Sequence, residues 1–241
     1  MYPLSVFASI PDDLNKMDSR ISMKHLNLFM KNTIIRGLNT VYAVAPSISS
    51  DHSAFPAFMA YTKIVLIMVM FHLDGDEAFF TRPFNEKECL LNFLGSASVA
   101  KNQPLVAAVA DAQKRVGAWI IDPKDYTADT LRAALEFGGP LTEALGKQLD
   151  SMNNECLEKI VSHEALHLFI EEHLKWLTTK PEVTILVPFI VGHHDFSTNQ
   201  HWPGLSAEGN AALPHLVAMQ PEAWKFAPVD PLTKAPQNWK A

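Results

Sequence analysis

The chain has 241 residues, with 20 Lys and Arg against 26 Asp and Glu, so its net charge is −6. Hydrophobic residues make up 48% of the chain and charged residues only 19%, which is too apolar for a disordered protein. No basic patch is available to neutralise phosphates, so a nucleic-acid partner is not expected. Two cysteines, Cys89 and Cys156, cannot build a disulfide framework.

The chain carries no signal of a membrane or export segment. Its N-terminus lacks the basic start and long apolar core of a signal peptide. The longest uncharged apolar run, Ile64–Phe71, is shorter than the roughly 20 residues that cross a bilayer. We therefore expect a soluble cytoplasmic protein without a membrane span.

Apolar residues recur at helical spacing over most of residues 20–177, which predicts an all-α fold. A first helix follows Asp18 or Ser19 as its N-cap and ends at Pro46. A second runs from about residue 53 to residue 80, and its apolar middle predicts a central, buried helix. A third covers about 104–120, with Pro104 in its first turn.

A fourth helix is predicted from Thr127 to Leu149, kinked by Gly138-Gly139-Pro140. A fifth covers about residues 154–177. Eight of the 16 prolines fall in residues 181–241, which predicts an extended arm wrapped over the bundle, with Val183–Val191 as its buried anchor. All 241 residues are expected to form one domain, with the bundle core at about 19–177.

Polar side chains on the apolar stripes are the candidates for chemistry, because active sites in bundles are built from inward-facing residues. Lys31 shares a helix face with Ile34 and Leu38. The other candidates are also polar residues at helical spacing from apolar neighbours: His72 together with either Asp76 or Glu77, then Asn102, and Gln148. Each also has a structural interpretation. Lys31 can extend its stem along an apolar face with its ammonium in water, and His72 can be a core histidine. The acidic residues can be a solvated helix end, Asn102 a helix cap and Gln148 a surface amide.

The segment His163-Glu164-Ala165-Leu166-His167 matches the HExxH helix of zinc hydrolases, with two histidines on one face and a glutamate as base. His173 stands ten residues after His163. The helical pattern continues through Ile170, so an unbroken helix carries His173 about 15 Å further along the axis. His173 is therefore not expected to complete a zinc site.

A third polar cluster, His193-His194-Asp195 with His201 nearby, is compatible with a metal site, a general base or a packing role. The chain has no glycine-rich phosphate loop and no nucleophile elbow.

The sequence resembles the fungal hemerythrin-like (HHE-type) proteins over most of the chain from about residue 23. Six segments carry the resemblance: Ile34–Asn39, His72–Phe80, Phe137–Thr142, Val187–Phe189, His193–Asp195 and Trp224–Pro228. The resemblance implies a helical bundle whose members typically hold two irons with His and carboxylate ligands.

This chain departs from the family at the metal ligands. Lys31 stands where the family usually has a histidine, and His72 alone remains from a run of histidines, with Leu73 next to it. At the other ligand positions of the family, the resemblance places Asn102, Val106, Ala144 and Gln148. An ammonium repels a metal and Ala and Val offer no lone pair, so we expect a metal-free pocket and no cofactor.

Metal-free relatives of this kind act as hetero-Diels–Alderases that join a tropolone-derived quinone methide to the sesquiterpene humulene. The resemblance therefore implies small lipophilic substrates. Glu77 or His72 is the expected acid, and Lys31 and Gln148 are expected to bind the tropolone oxygens. The remaining expected substrate contacts are Met68, Phe71, Leu73, Asp76, Asn102, His194 and Trp202.

Alternatives to this function are a di-iron hemerythrin-like protein that binds oxygen or iron, a zinc hydrolase that uses His163, Glu164 and His167, and a lipophilic carrier without turnover. A monomer and a homodimer both agree with the sequence.

Overall fold

A computed structural model describes residues 1–84, 89–94, 103–152, 154–158 and 161–239. Within these ranges the chain is mostly helical and forms no β-strand, only the isolated bridges Pro83–Cys89 and Val229–Pro236. The all-α prediction is confirmed. The α-helices are α1 (Ser19–Val44), α2 (Phe55–Thr81), α3 (Leu90–Leu94), α4 (Gln103–Ile121), α5 (Ala128–Ala134), α6 (Gly138–Ser151), α7 (Asn154–Glu158), α8 (His163–Thr178), α9 (Val183–His193), α10 (Ala207–Ala218) and α11 (Pro221–Trp224).

Helix α1 begins at one of the two predicted caps. The Asp18 carboxylate accepts a hydrogen bond from the backbone N–H of Arg20 at 2.9 Å, which satisfies a donor that the first helical turn leaves free. The helix ends before Pro46, which lies in a short 3-10 turn, Ala45–Ser47. The predicted start and end of α1 are both confirmed.

Helix α2 is the central helix of the bundle and packs along α4 and α1. Five residues of its continuous apolar run, Ile64, Val65, Leu66, Met68 and Val69, are buried, as that run predicts. The other three, Ile67, Met70 and Phe71, are half-buried. By length and composition alone α2 could cross a membrane, yet more than half of its most apolar window is buried inside the protein. A core helix passes that test as readily as a membrane span does.

The fourth and fifth predicted helices are each divided in two. Helix α5 begins after Thr127, whose side chain caps it, and ends at Ala134. Helix α6 starts again at Gly138, which places Pro140 in a first turn where its missing N–H costs no hydrogen bond. The fifth splits into α7 and α8, and the Ser162 hydroxyl caps α8 by accepting from the N–H of Ala165.

The prediction of an extended arm after Lys180 is wrong for much of that segment, which forms α9, α10 and α11. Helix α9 packs into the core on α1: Phe189 is buried, and its ring approaches Gly37 so closely that a Cβ there would lie 3.2 Å from it. Pro188 and Pro214 lie inside α9 and α10, so packing outweighs the hydrogen bond that each proline removes. Residues 225–239, the last that the structure describes, are not helical.

The N-terminal residues run along α1 and are bound there by two asparagine side chains. The Asn32 amide accepts from the N–H of Phe7 and donates to its carbonyl, at 2.8 and 2.9 Å. Asn39 makes the same pair of bonds with Leu4. These bonds direct the chain toward residues 13–17, which line the main cavity described below.

Candidate functional site

The buried ammonium of Lys31 is the centre of a polar cluster between α1 and α2. Lys31 has no exposed surface, because it lies on the apolar face of α1 that packs on α2. Its Nζ lies 3.2 Å from Asp76 Oδ2, 3.3 Å from His72 Nε2 and 3.2 Å from Asn27 Oδ1. Three acceptors thus surround a group with three N–H donors.

The carboxylate of Asp76 is the counter-ion of this cluster. Its Oδ2 contacts Lys31 and lies 3.4 Å from Nε2 of His72, which is four residues earlier on the same face of α2. Burial raises the pKa of Asp76, but protonated His72, the charge of Lys31 and hydrogen bonds from Lys31 and Gln148 outweigh burial, so the net pKa is lowered. Asp76 is therefore an ionised carboxylate at neutral pH.

His72 is neutral at physiological pH. Burial, together with the charge of Lys31, lowers its pKa to about 4, against the opposing charge of Asp76. Burial also lowers the pKa of Lys31, and Asp76 partly compensates. An ammonium has no acceptor, so Nε2 of neutral His72 accepts from Lys31. The cluster thus combines one ion pair with a neutral imidazole.

Gln148 reaches the cluster from α6. Its side chain is buried, and its amide hydrogen bond contributes to the lowered pKa of Asp76. Its Oε1 is buried without a hydrogen-bond partner among the described residues. A buried acceptor of this kind is costly unless a ligand or water satisfies it.

A cavity of about 890 Å³ opens beside this cluster, within the range of small-molecule sites. Its walls come from the first half of α1, the end of α2, helices α8 and α9, residues 13–17 and residues 201–205. Its polar lining includes Asn27, His72 and Asp76, and its apolar lining includes Leu174, Leu177, Leu186 and Ile190. The cavity thus combines apolar side chains with two members of the buried polar cluster.

The structure brings together several of the predicted site residues. Phe71, His72, Asp76 and Trp202 all line the cavity. Lys31 and Gln148, which were expected to bind the tropolone oxygens, do not line the cavity. Lys31 contacts His72 and Asp76, which do line it.

Other predicted site residues lie elsewhere. Glu77 is exposed and does not line the cavity, because one residue along a helix turns the side chain by about 100°; the expectation that Glu77 acts as an acid in the pocket is wrong. Met68 and Leu73 are buried in the main core instead of lining the cavity, since they lie on the faces of α2 that pack on other helices. Asn102 lies outside the described residues.

His194 is a structural residue. Its ring is buried between Phe29, Phe196 and Trp202, and its Nε2 donates to the carbonyl of Asn199 at 2.6 Å. It packs behind Trp202 and does not line the cavity. The expected substrate contact at His194 is therefore replaced by a packing role, which the sequence analysis kept as an alternative.

Sequence analysis missed several polar lining residues, of which Asn27 and His173 are two. Asn27 is one helical turn before Lys31, and the i, i+4 spacing was a usable signal. His173 lines the cavity from α8, with its ring 4.9 Å from that of Phe79 and stacked on Trp176. Burial, with a contribution from Arg82, lowers the pKa of His173 to about 4. In the sequence, the only indication of a role for His173 was its position ten residues after His163 of the HExxH segment.

The HExxH segment does not fit a zinc site. Glu164 is exposed and outside the cavity. His163 Nδ1 accepts the N–H of Ser19 at 2.9 Å, so His163 supports the start of α1. Among the described residues, no group of three or more His, Cys, Asp or Glu side chains could hold a metal ion.

The polar cluster also does not fit a di-iron centre. The Lys31 ammonium lies within hydrogen-bond distance of both His72 and Asp76, where a metal would have to bind the same donor atoms. A cation at that place repels a metal, and Lys31 offers no lone pair while it is charged.

Comparisons with known proteins identified no relative. The chain matches no protein-family model, no curated protein and no solved structure.

Proposed function

We propose that this chain is a natural-product biosynthetic enzyme with a hemerythrin-like bundle. Its substrates are a hydroxymethyl tropolone and a humulene-type sesquiterpene, which it joins by a hetero-Diels–Alder reaction without a metal. One observation carries the proposal: the cavity of about 890 Å³ is lined both by apolar side chains and by His72 and Asp76, which the buried Lys31 contacts. The resemblance to metal-free hemerythrin-like proteins agrees with that pairing.

The first step is the loss of water from the hydroxymethyl tropolone. A carboxylate accepts the proton of the ring hydroxyl, and the ring electrons break the benzylic-type C–O bond. The carboxylate returns the same proton to the departing hydroxyl, which leaves as water. The product is a quinone methide, and the carboxylate ends the step as it began. Asp76 is assigned this role because it is ionised and lines the cavity, whereas Glu77 is exposed.

The second step is the cycloaddition. The quinone methide supplies a C=C–C=O unit, an alkene of the sesquiterpene supplies two carbons, and one C–O and one C–C bond form together. No proton or electron is exchanged with the protein. Holding both partners in a near-attack pose can supply about 7–11 kcal/mol of the barrier.

The cavity walls suit two lipophilic partners. Met23 and Met30 of α1 line it with Phe71, and methionine side chains adapt to irregular apolar shapes. Leu174 and Leu177 extend the apolar wall along α8. Residues 13–17 and 201–205 also line the cavity. In this proposal they restrict the access of water, which would otherwise add to the quinone methide.

Lys31, His72 and Gln148 act on Asp76 in this proposal. They hold the carboxylate in its ionised form and in one orientation. Gln148 does not line the cavity, so in this proposal it acts on the substrate only through Asp76. The proposed cellular location is the cytoplasm, where reduced cysteines are stable.

The test is a reaction of the purified protein with hydroxymethyl tropolone and humulene, with the adduct quantified by mass spectrometry against the uncatalysed background. Asp76→Asn is expected to lower kcat by about 100-fold or more, the usual contribution of a general acid–base group. Glu77→Gln is the matched control, because Glu77 is the next residue on α2 and is exposed. Equal activity of wild type and Asp76→Asn would remove the carboxylate from the mechanism.

A further inference from the structure

A second pocket lies at the other end of α2. It has a volume of about 730 Å³ and is formed by the start of α2, the end of α4, the start of α9 and residues near 50 and 220. It shares no lining residue with the main cavity. Lys63 in this pocket and His72 in the cavity are nine residues apart on α2, which separates them by about 13 Å along the axis.

The wall of the second pocket is apolar. Isoleucines from three helices face it, and Ile64 is almost fully buried while Ile120 is exposed. The apolar lining side chains are Phe55, Pro56, Met59, Ala60, Ile64, Ile67, Ile120, Pro123 and Ile185. Adjacent Ile121, outside the pocket, is also exposed, so an apolar surface continues beyond the rim.

The polar lining of the pocket consists of Lys63, His52, Ser50, Ser53 and Gln220, whose side chains can all donate a hydrogen bond. Lys63 lines it and makes no ion pair within the described part of the chain. His52 Nδ1 accepts from the N–H of Ala54 at 3.0 Å, so the neutral ring carries its proton on Nε2 as a donor. Ser50 and Ser53 add hydroxyls.

None of the described lining side chains is a carboxylate, although the whole chain has a net charge of −6. A local cation with donors beside it, in an acidic protein, is complementary to an anion. The isoleucine wall requires that this anion carry a hydrocarbon chain.

We infer that this second pocket binds a lipophilic carboxylate, with its carboxylate on Lys63 and its hydrocarbon chain along Ile64, Ile67, Ile120 and Ile185. The site is independent of the proposed cycloaddition, because it lies apart from the cavity and shares no residue with it.

The experiment uses the full chain labelled at the isoleucine δ1 methyl groups, titrated with dodecanoate and followed by NMR. Binding in the second pocket shifts the methyl signals of Ile64, Ile67, Ile120 and Ile185. Ile170 and Ile190 line the main cavity and report binding there. Shifts confined to Ile170 and Ile190 of the main cavity, or no shifts at all, would overturn the proposal.

Charge is tested with two chain-length-matched probes and two lysine variants. Dodecanol is expected to bind more weakly than dodecanoate. Lys63→Gln is expected to lower the affinity for dodecanoate about two- to fivefold, as the loss of one partly exposed ion pair does, and to leave the affinity for dodecanol unchanged. Lys114→Gln, at an exposed position on α4, is the control and should not alter either affinity. Equal dodecanoate affinity in wild type and Lys63→Gln would contradict the assigned contact.

Discussion

Lys31 Nζ and Asp76 Oδ2 lie 3.2 Å apart inside the bundle, where the lysine side chain has no exposed surface and the aspartate side chain retains 9%. Moving two charges out of water costs several kcal/mol per ion, and the attraction between them repays that cost only when further hydrogen bonds complete the pair. Asn27, His72 and Gln148 supply those bonds. The pair is costly to build, which favours a role in binding or chemistry over a role in stability alone.

Lys31→Met is expected to destabilise the protein by about 3–5 kcal/mol, because it leaves the Asp76 carboxylate buried without its counter-ion. The free energy of unfolding, from urea titration at pH 7.5, measures this change. The double variant Lys31→Met with Asp76→Leu should regain much of the loss, since it removes both charges together. Additive losses in the double variant would show that the two residues are not coupled.

The free energy of unfolding is expected to fall as the pH falls from about 6.5 to about 4. His72 is buried with its pKa lowered to about 4, so in this window the unfolded chain binds a proton that the folded chain does not. At 1.36 kcal/mol per unit the loss from His72 reaches about 3 kcal/mol and is complete below its folded pKa. His173 and His193, with pKa values lowered to about 4 and about 3 mainly by burial, act in the same direction.

His72→Gln tests the contribution of His72 to this pH dependence. Glutamine keeps a polar group near the Nε2 position but does not titrate, so stability should depend less steeply on pH between 6.5 and 4. His215→Gln is the control, because His215 is an exposed histidine on α10. Parallel curves for wild type and His72→Gln would show that His72 is protonated in the folded protein at these pH values.

Glu164→Gln is expected to leave adduct formation unchanged. The Glu164 side chain is exposed and lies outside the cavity, so it cannot serve as a base for a molecule bound there. Activity and zinc content are measured on the same preparation, before and after dialysis against a chelator. Zinc at one equivalent together with an inactive Glu164→Gln variant would restore the hydrolase alternative.

Helical spacing was enough to identify the buried polar cluster. Lys31, His72 and Gln148 were selected because they lie on stripes of apolar residues, and all three are buried. The choice between Asp76 and Glu77 could not be made in this way. Both are acidic and adjacent at the end of α2, and only packing against α1 decides which one faces inward.

The cavity itself could not be predicted, because its walls come from segments far apart in the chain. Residues 13–17 and 201–205 have no periodic pattern, and only the tertiary structure brings them to the same cavity. The proline-rich segment was also predicted incorrectly. Pro181 and Pro221 precede or begin helices, where a missing N–H is harmless, so a count of prolines overstated the breaks.

Asn199 bonds the N-terminal segment to the segment that contains residues 201–205, and both segments line the cavity. Its Nδ2 donates to the carbonyls of Ile10 and Asp12, and its Oδ1 accepts from the N–H groups of His201 and Trp202.

Asn199→Ala removes all four of these bonds, each worth about 0.5–1.5 kcal/mol net, and should loosen residues 10–17 and 201–205 while α2 stays intact. Hydrogen exchange read by mass spectrometry should show faster exchange in those two segments only. Asn210→Ala is the control, because exposed Asn210 bonds only to nearby carbonyls. If Asn199→Ala exchanged like wild type at residues 10–17, the N-terminal segment would be held in place by Asn32 and Asn39 alone.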